Sequence, residues 1–260
     1  TNGSRNMFIE ERHEMILKLL KENGKVNVKE LSKTFGISES MIRKDLQSLE
    51  KDNRLQRTYG GAIQIKRTLI DEEDFIIKRV QINRDAKLEI AYKSLNLIQN
   101  GDIIFLDISS TSYLLAKMLL NSDKKITIIT NMPLLASMIK STNEQKFIFI
   151  GGDYNTLVGG NVGSNAIEQI SKYRCGKCFI GCIGVNLDDG SLTALNSDDS
   201  HTKKAIMDIS KKSYLFAPSI YFHQDGLYNF ANLVDFKGII TENPTPEVSQ
   251  ILKEYGVELL

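Results

Sequence analysis

The chain lacks any apolar run near the roughly 18 residues a bilayer-spanning helix needs. Its longest, IIFLDI and FIFIGG, are far shorter, and no succession of charged, apolar and small residues marks a secretory signal. These absences set the expectation of a cytoplasmic protein with no membrane partner. Thr1 to Asn6 precede the first Met and read as an expression remnant, left out of fold reasoning. Cysteine is scarce: 3 in 260 residues make no disulfide framework and fit a reducing compartment. Histidine is as scarce, and His13, His201 and His223 show no ligand spacing, so no metal is expected. Internal repeats and low-complexity tracts are also missing. What is present, 25% charged and 42% hydrophobic residues, is ordinary globular composition and excludes a disordered or fibrous chain.

The net charge of +1 conceals an uneven division. Residues 1–67 hold 14 Lys+Arg against 9 Asp+Glu, whereas the remainder holds 19 against 23. A mildly basic head precedes a mildly acidic body, which points the head towards a polyanion.

In the head, Ile9, Met15, Ile16, Leu19 and Leu20 recur at helical spacing, predicting a helix from Ile9 to Asn23 that stops at Gly24. Leu31 and Phe35 give a second helix, about Val28 to Thr34, ended by Gly36. Ser38 caps a third that Asn53 closes, with Met41, Ile42, Leu46 and Leu49 on one face. Two short helices joined by Phe35-Gly36-Ile37-Ser38 are a helix-turn-helix unit. Arg54 to Tyr59 reads as a strand, Gly60-Gly61 as a turn and Ala62 to Ile65 as the return strand of a hairpin wing. The expected organisation is a winged helix-turn-helix over 7–65, a linker over 66–84, and an α/β body over 85–260.

From Asp85 the texture alternates. Helices are expected at about Arg84 to Ile98, Ser110 to Leu120, Leu134 to Ser141, Ala166 to Lys172 and Thr202 to Lys211. Strands are expected at IIFLD, ITIIT, KFIFIGG, KCFIGCIGV, SYLFAP and KGIIT. Strands alternating with helices indicate a sheet covered on both faces.

The third helix of such a head enters the major groove with its first turns facing base edges. There Ser38, Glu39, Ser40, Arg43 and Lys44 lie opposite the apolar stripe: Arg43 suits a guanine, Ser40 a base or phosphate, and Lys44 a phosphate. The wing brings Arg57, Thr58, Tyr59 and Gly60 to the duplex backbone, with Lys51 and Arg54 flanking. Any one of these charges alone reads as solvated surface; the arrangement together reads as double-stranded DNA binding.

ERHEMILKLL, then VKELSKTFGISESMIRKDLQSLEKDNRLQRTYGGA, resembles the winged helix of the DeoR family of bacterial transcriptional regulators, IRKDLQSLE and GGA being the most specific parts. Met41 stands where the family usually has Thr, and would touch the DNA backbone. The resemblance extends over the body, implying a sensor domain related in fold to sugar-phosphate isomerases and CoA transferases, and a homo-oligomer, dimer or tetramer.

Ligands of such sheets sit at the carboxyl ends of strands. Asp107 ends IIFLD and is followed by Ser109, Ser110, Thr111 and Ser112, which open a helix and offer hydroxyls and free N–H groups to an anion or simply cap that helix. Thr130-Asn131 ends the next strand, and Gly151-Gly152 a third, where the backbone comes close to something. The resemblance implies that Asp107 and the Ser/Thr loop form the sensor's anion loop and that Lys203 is its pocket lysine, neutralising the phosphate of a phosphorylated sugar or related small-molecule effector. Four positions depart from the family: Ile183 and Asn186 replace carboxylates, and Pro218 and Tyr221 stand where Asp and Lys are usual. Ser109 replaces a glycine. A pocket for an altered, less polar or bulkier ligand follows.

Cys175-Gly-Lys-Cys178 with Cys182 resembles a redox or half-zinc motif, yet small hydrophobes in a core fit better, with Cys178 and Cys182 on one face of one strand. An enzyme using Asp107 and Lys203 as acid and base lacks a second acid, and a ligand-free architectural DNA binder leaves the body unused. The expectation is a regulator without catalytic residues or cofactor, probing DNA with the head and an effector with the body, most simply a repressor of a carbohydrate catabolic operon.

Overall fold

The computed structural model describes residues 8–52, 54–63 and 76–260. Two compact units divide between Arg67 and Thr68.

The first unit holds α1 (Ile9–Asn23), β1 (Lys25–Asn27), α2 (Val28–Phe35), α3 (Glu39–Lys51), β2 (Gln56–Thr58) and β3 (Gly61–Ile63). Ile16 and Leu20 of α1, Leu31 of α2 and Ile42, Leu46 and Leu49 of α3 meet in one apolar cluster. At about 25 cal/mol per Å² of apolar surface, this burial supplies most of what holds so small a unit. Asn27 and Ser38 cap α2 and α3, each side chain accepting a hydrogen bond from a first-turn N–H. α1 and α3 are also pinned by a buried ion pair, since Arg12 donates from Nε and Nη2 to the two carboxylate oxygens of Asp45 at 2.8 and 2.9 Å.

Met41, expected on the apolar stripe, is 46% exposed; Ile42 takes the buried position beside it. Asn53, expected to close α3, lies outside the described residues, and Asp52 is the C-cap. KVN, expected as a connector, is a strand: β3 sits centrally in the order β1-β3-β2. Gly61 belongs to β3 rather than to the turn, and a Cβ there would lie 2.0 Å from the Val26 carbonyl oxygen, so only glycine permits this pairing. Gln64 and Ile65, expected to extend the return strand, lie outside the described residues.

The second unit begins, among the described residues, with α4 (Ile76–Gln81) and α5 (Arg84–Asn96). Residues 66–75 of the expected linker lie outside the described residues. The rest of it is corrected: Ile76 and Val80, one turn apart on α4, are buried in the body's core. There follow β4 (Ile103–Leu106), α6 (Ser110–Leu120), β5 (Thr127–Thr130), β6 (Lys146–Phe149), β7 (Asp153–Asn155), β8 (Gly160–Val162) and α7 (Ser164–Ile170). After these come β9 (Cys175–Gly181), β10 (Gly184–Val185), β11 (Ser191–Ala194), α8 (Ser197–Asp208), β12 (Ser210–Phe216), β13 (Tyr228–Asn232), β14 (Gly238–Ile240), α9 (Pro246–Glu254) and β15 (Glu258–Leu259).

Seven strands form one sheet in the order β15-β14-β12-β9-β4-β5-β6, with every pairing parallel. Alternation along each strand divides the core. Ile104, Leu106 and Phe179 face α4, α5 and α6, while Phe105, Cys178 and Ile180 face α7, α8 and α9. Both faces are thus covered, as a parallel sheet requires.

Three expected elements change. Leu134 to Ser141 is a tight 3₁₀ helix over Pro133–Met138. The KCFIGCIGV strand ends at Gly181, and Gly184–Val185 joins a second, antiparallel sheet of order β10-β11-β13. The helix expected from Thr202 starts five residues earlier, because Asn196 caps it by accepting from the Asp199 N–H at 2.9 Å.

Candidate functional site

The nucleic-acid candidates of the first unit stand on α3 and on the wing, exposed except for the half-buried Gly60. Ser40, Arg43 and Lys44 stand at i, i+3 and i+4 on α3, all exposed, with Ser38 and Met41 exposed beside them. Arg57, Thr58 and Tyr59 are exposed on the wing, where Gly60 has φ +82°. A shallow groove of about 380 Å³ runs between helix and wing, bordered by Arg43, Glu50, Arg57, Thr58, Tyr59 and Gly60. The structure therefore brings Arg43 and the wing residues together across one groove. Arg43 pairs with Glu39 at 3.2 Å, both side chains about half exposed. Arg54 departs from its flanking role: it is half-buried, and desolvation draws its guanidinium below the ordinary range.

The effector candidates lie along the carboxyl edge of the large sheet. Asp107 follows β4 and is buried. Its Oδ2 accepts from the Gly181 N–H at 3.0 Å and from Lys203 Nζ of α8, and its Oδ1 accepts from Ser112 Oγ at 3.2 Å. Asp199, one turn before Lys203, completes the cluster at 3.5 Å from the ammonium. Burial alone would pull the Lys203 ammonium down, but Asp107 and Asp199 outweigh it and hold it above its ordinary value. Burial holds Asp107 above the usual carboxylate range, against the pull of Lys203. With two carboxylates around one ammonium, Lys203 is already neutralised by the protein. A phosphate there, as the resemblance implies, would have to share the ammonium with Asp107 and Asp199.

Ser109 caps α6, its Oγ accepting from the Ser112 N–H at 3.0 Å and donating to Ser112 Oγ at 2.9 Å. Ser110, Thr111 and Ser112 are buried, and the N–H groups of Ser110 and Thr111 have no hydrogen-bond partner among the described residues. The Ser109 cap thus leaves two first-turn amides of α6 without a partner among the described residues. Asn131, buried at the end of β5, donates from Nδ2 to the Asn161 carbonyl at 2.9 Å, while its Oδ1 is buried without a partner among the described residues. The two glycines after β6 approach the protein itself. The Gly151 N–H donates to Gln169 Oε1 at 2.9 Å, and a Cβ on Gly152, φ +134°, would lie 3.0 Å from the Ala166 nitrogen. The close approach expected of their backbone is made to α7.

Asp199, Gly181 and Asn161 escaped the sequence reading. The i, i+4 spacing of Asp199 and Lys203 was a usable signal once Asn196 is recognised as the cap; the other two act through backbone or across strands and leave none.

The three cysteines are free and buried. Cys182 lies one residue past the end of β9, yet it shares the core cluster of Cys178 on that side of the sheet. Burial pushes both thiols up to about 12, which makes them poor nucleophiles.

Residues 12–68 match the DeoR-like helix-turn-helix domain, and residues 82–243 match the DeoR C-terminal sensor domain. The chain belongs to the DeoR family. It is a DNA-binding transcriptional regulator in organisation and not an enzyme. It is 29% identical over 250 residues to the glycerol-3-phosphate regulon repressor of Escherichia coli (strain K12), covering 96% of this chain and 97% of that one. It is 28% identical over 255 residues to the transcriptional repressor GlcR of Bacillus subtilis (strain 168), covering 98% and 96%. It is 29% identical over 236 residues to the L-fucose operon activator of Haemophilus influenzae, covering 91% and 93%. Among solved structures, eIF2B delta from Chaetomium thermophilum overlaps 92% of this chain and 73% of its own with a TM-score of 0.50 at 16% identity, a likeness of fold alone. Among the described residues no helix is long and apolar enough to cross a membrane.

Proposed function

We propose that this DeoR-family chain is a cytoplasmic, homo-oligomeric repressor of a carbohydrate catabolic operon, released from DNA by a phosphorylated sugar or related small anion. The observation that carries the DNA half is Arg43 of α3 and Arg57 of the wing bordering one groove, with Ser40 and Lys44 exposed beside Arg43 on the helix. Arg43 reads a guanine edge; Lys44, Arg57 and the amide of Gly60 hold phosphates, and Ser38, Met41, Thr58 and Tyr59 complete the contact. Relatives named as repressors outnumber the activator among those compared above, which favours the repressor sign.

For the effector, the support is twofold: the Ser110 and Thr111 amides at the α6 N-terminus have no partner among the described residues and suit an anion, and the buried Asn131 Oδ1 after β5 is an acceptor that suits a sugar hydroxyl. Lys203 contributes by exchanging part of its bond to Asp107 for the ligand. The altered positions point to a less polar or bulkier ligand. Tyr221 packs on the apolar core, Pro218 is buried at the start of a 3₁₀ turn, and the Asn186 Oδ1 accepts from the Asp188 N–H at 2.9 Å inside a tight turn. Effector binding shifts a population of oligomers towards spacings that no longer match paired half-sites, which requires differential affinity for the two states.

The test is a thermal-shift screen of the full chain against a phosphosugar panel. Selective stabilisation by a bulkier or less polar phosphate ester is expected. Tight, selective binding of an ordinary hexose phosphate would contradict the altered pocket.

A further inference from the structure

Glu50 and Arg57 are joined by more than an ordinary surface ion pair. Glu50 lies in the last turn of α3 and Arg57 in the centre of β2. Glu50 Oε1 accepts from the Arg57 backbone N–H at 2.9 Å, and Oε2 accepts from Arg57 Nε at 2.7 Å. One carboxylate therefore holds both the main chain and the side chain of a single wing residue.

What this leaves free matters as much. With Nε engaged, the two amino groups of the Arg57 guanidinium make no hydrogen bond among the described residues, and the side chain is 42% exposed. They are the part of an arginine that grips a phosphate in a forked, two-donor contact. An exposed pair of this kind adds little to stability, so its effect lies in fixing geometry. Arg43 borders the same groove from the helix side, seven residues before Glu50 and so on the same face of α3.

We propose that Glu50 is a positioning residue for DNA binding: it orients Arg57 so that its free amino groups meet a phosphate, and ties the wing to α3 so that both engage the duplex as one body. The proposal rests on the reading of α3 and the wing as the DNA surface. It reverses the sign that charge alone dictates, because removing an acid beside a polyanion otherwise tightens binding.

The experiment measures fluorescence anisotropy of the full chain on two labelled duplexes, one from the region upstream of its own gene and one of random sequence, between 50 and 200 mM KCl. Glu50→Gln keeps an acceptor for the backbone N–H but turns an amide NH₂ towards Nε. Glu50→Asp keeps the charge and loses the reach. Both are expected to weaken both duplexes by the same factor, on the order of tenfold for one charge-assisted phosphate contact, and to lower the salt slope by about one. Arg57→Ala does the same, and adding Glu50→Gln to it costs nothing more. Circular dichroism and thermal unfolding establish that each variant is folded; should Gln unfold the head, Asp carries the test. Tighter or unchanged binding by Glu50→Gln with wild-type binding by Glu50→Asp, while Arg57→Ala weakens it, overturns the proposal and leaves the DNA surface standing. No effect of Arg57→Ala overturns the wing's role and the proposal with it.

Discussion

On α3, Arg43 pairs with Glu39 at 3.2 Å with both side chains about half in water, whereas in the body Lys203 is 5% exposed between Asp107 and Asp199. The first kind of pair contributes roughly 0 to 1 kcal/mol and is exchanged readily for a DNA phosphate or a base edge. The second is expensive to break, because a lost partner strands a charge away from water. The head thus offers its charges ready for use, and the body keeps its charges closed until something repays their separation. A site of the first kind suits rapid, salt-sensitive binding to a polyanion; one of the second suits a selective switch.

The largest expected effect breaks the closed side. Lys203→Ala leaves Asp107 and Asp199 buried without their counter-charge and lowers the body's stability by about 3 to 5 kcal/mol, read by chemical denaturation. A body of unchanged stability would show that this cluster does not close the strand ends. Next, Asp45→Ala removes the acceptor of Arg12 inside the head, with side chains 10% and 2% exposed, and costs about 3 kcal/mol of head stability, followed by far-UV circular dichroism. Smaller is Arg43→Ala on the open side. It should leave the unfolding midpoint in place yet weaken specific DNA binding by about 1 to 3 kcal/mol and relax preference at one base. Unchanged sequence preference would refute that role. The mildest effect is chemical. With Cys178 and Cys182 near 12, only on the order of one thiol in ten thousand is ionised at pH 8, so alkylation should track unfolding. Rapid labelling of native protein would show an open core.

The same contrast explains what could be read without coordinates. Head helices were legible because Ile16, Leu20, Ile42, Leu46 and Leu49 repeat at helical spacing and Ser38 caps where serine should. Strands of the large sheet were legible as short apolar runs. Met41 misled because its hydrophobicity fits the stripe by type, while its angle on α3 turns it to solvent. β1 escaped because three residues carry no period and form a strand only by pairing with β3, far along the chain. Exposed site residues could be named from local pattern alone. Buried ones could not be assigned roles, since the state of Lys203 depends on Asp107, 96 residues away.

In the proposed regulator, the exposed α3-and-wing surface and the buried strand-end cluster are coupled. The decisive measurement is the affinity of the full chain for the duplex upstream of its own gene, with and without the phosphate ester that stabilises it best in the thermal-shift screen. Coupling requires that saturating ligand weakens DNA binding several-fold, and that the DNA weakens the ligand by the same factor. Identical DNA affinity at ligand saturation would contradict it.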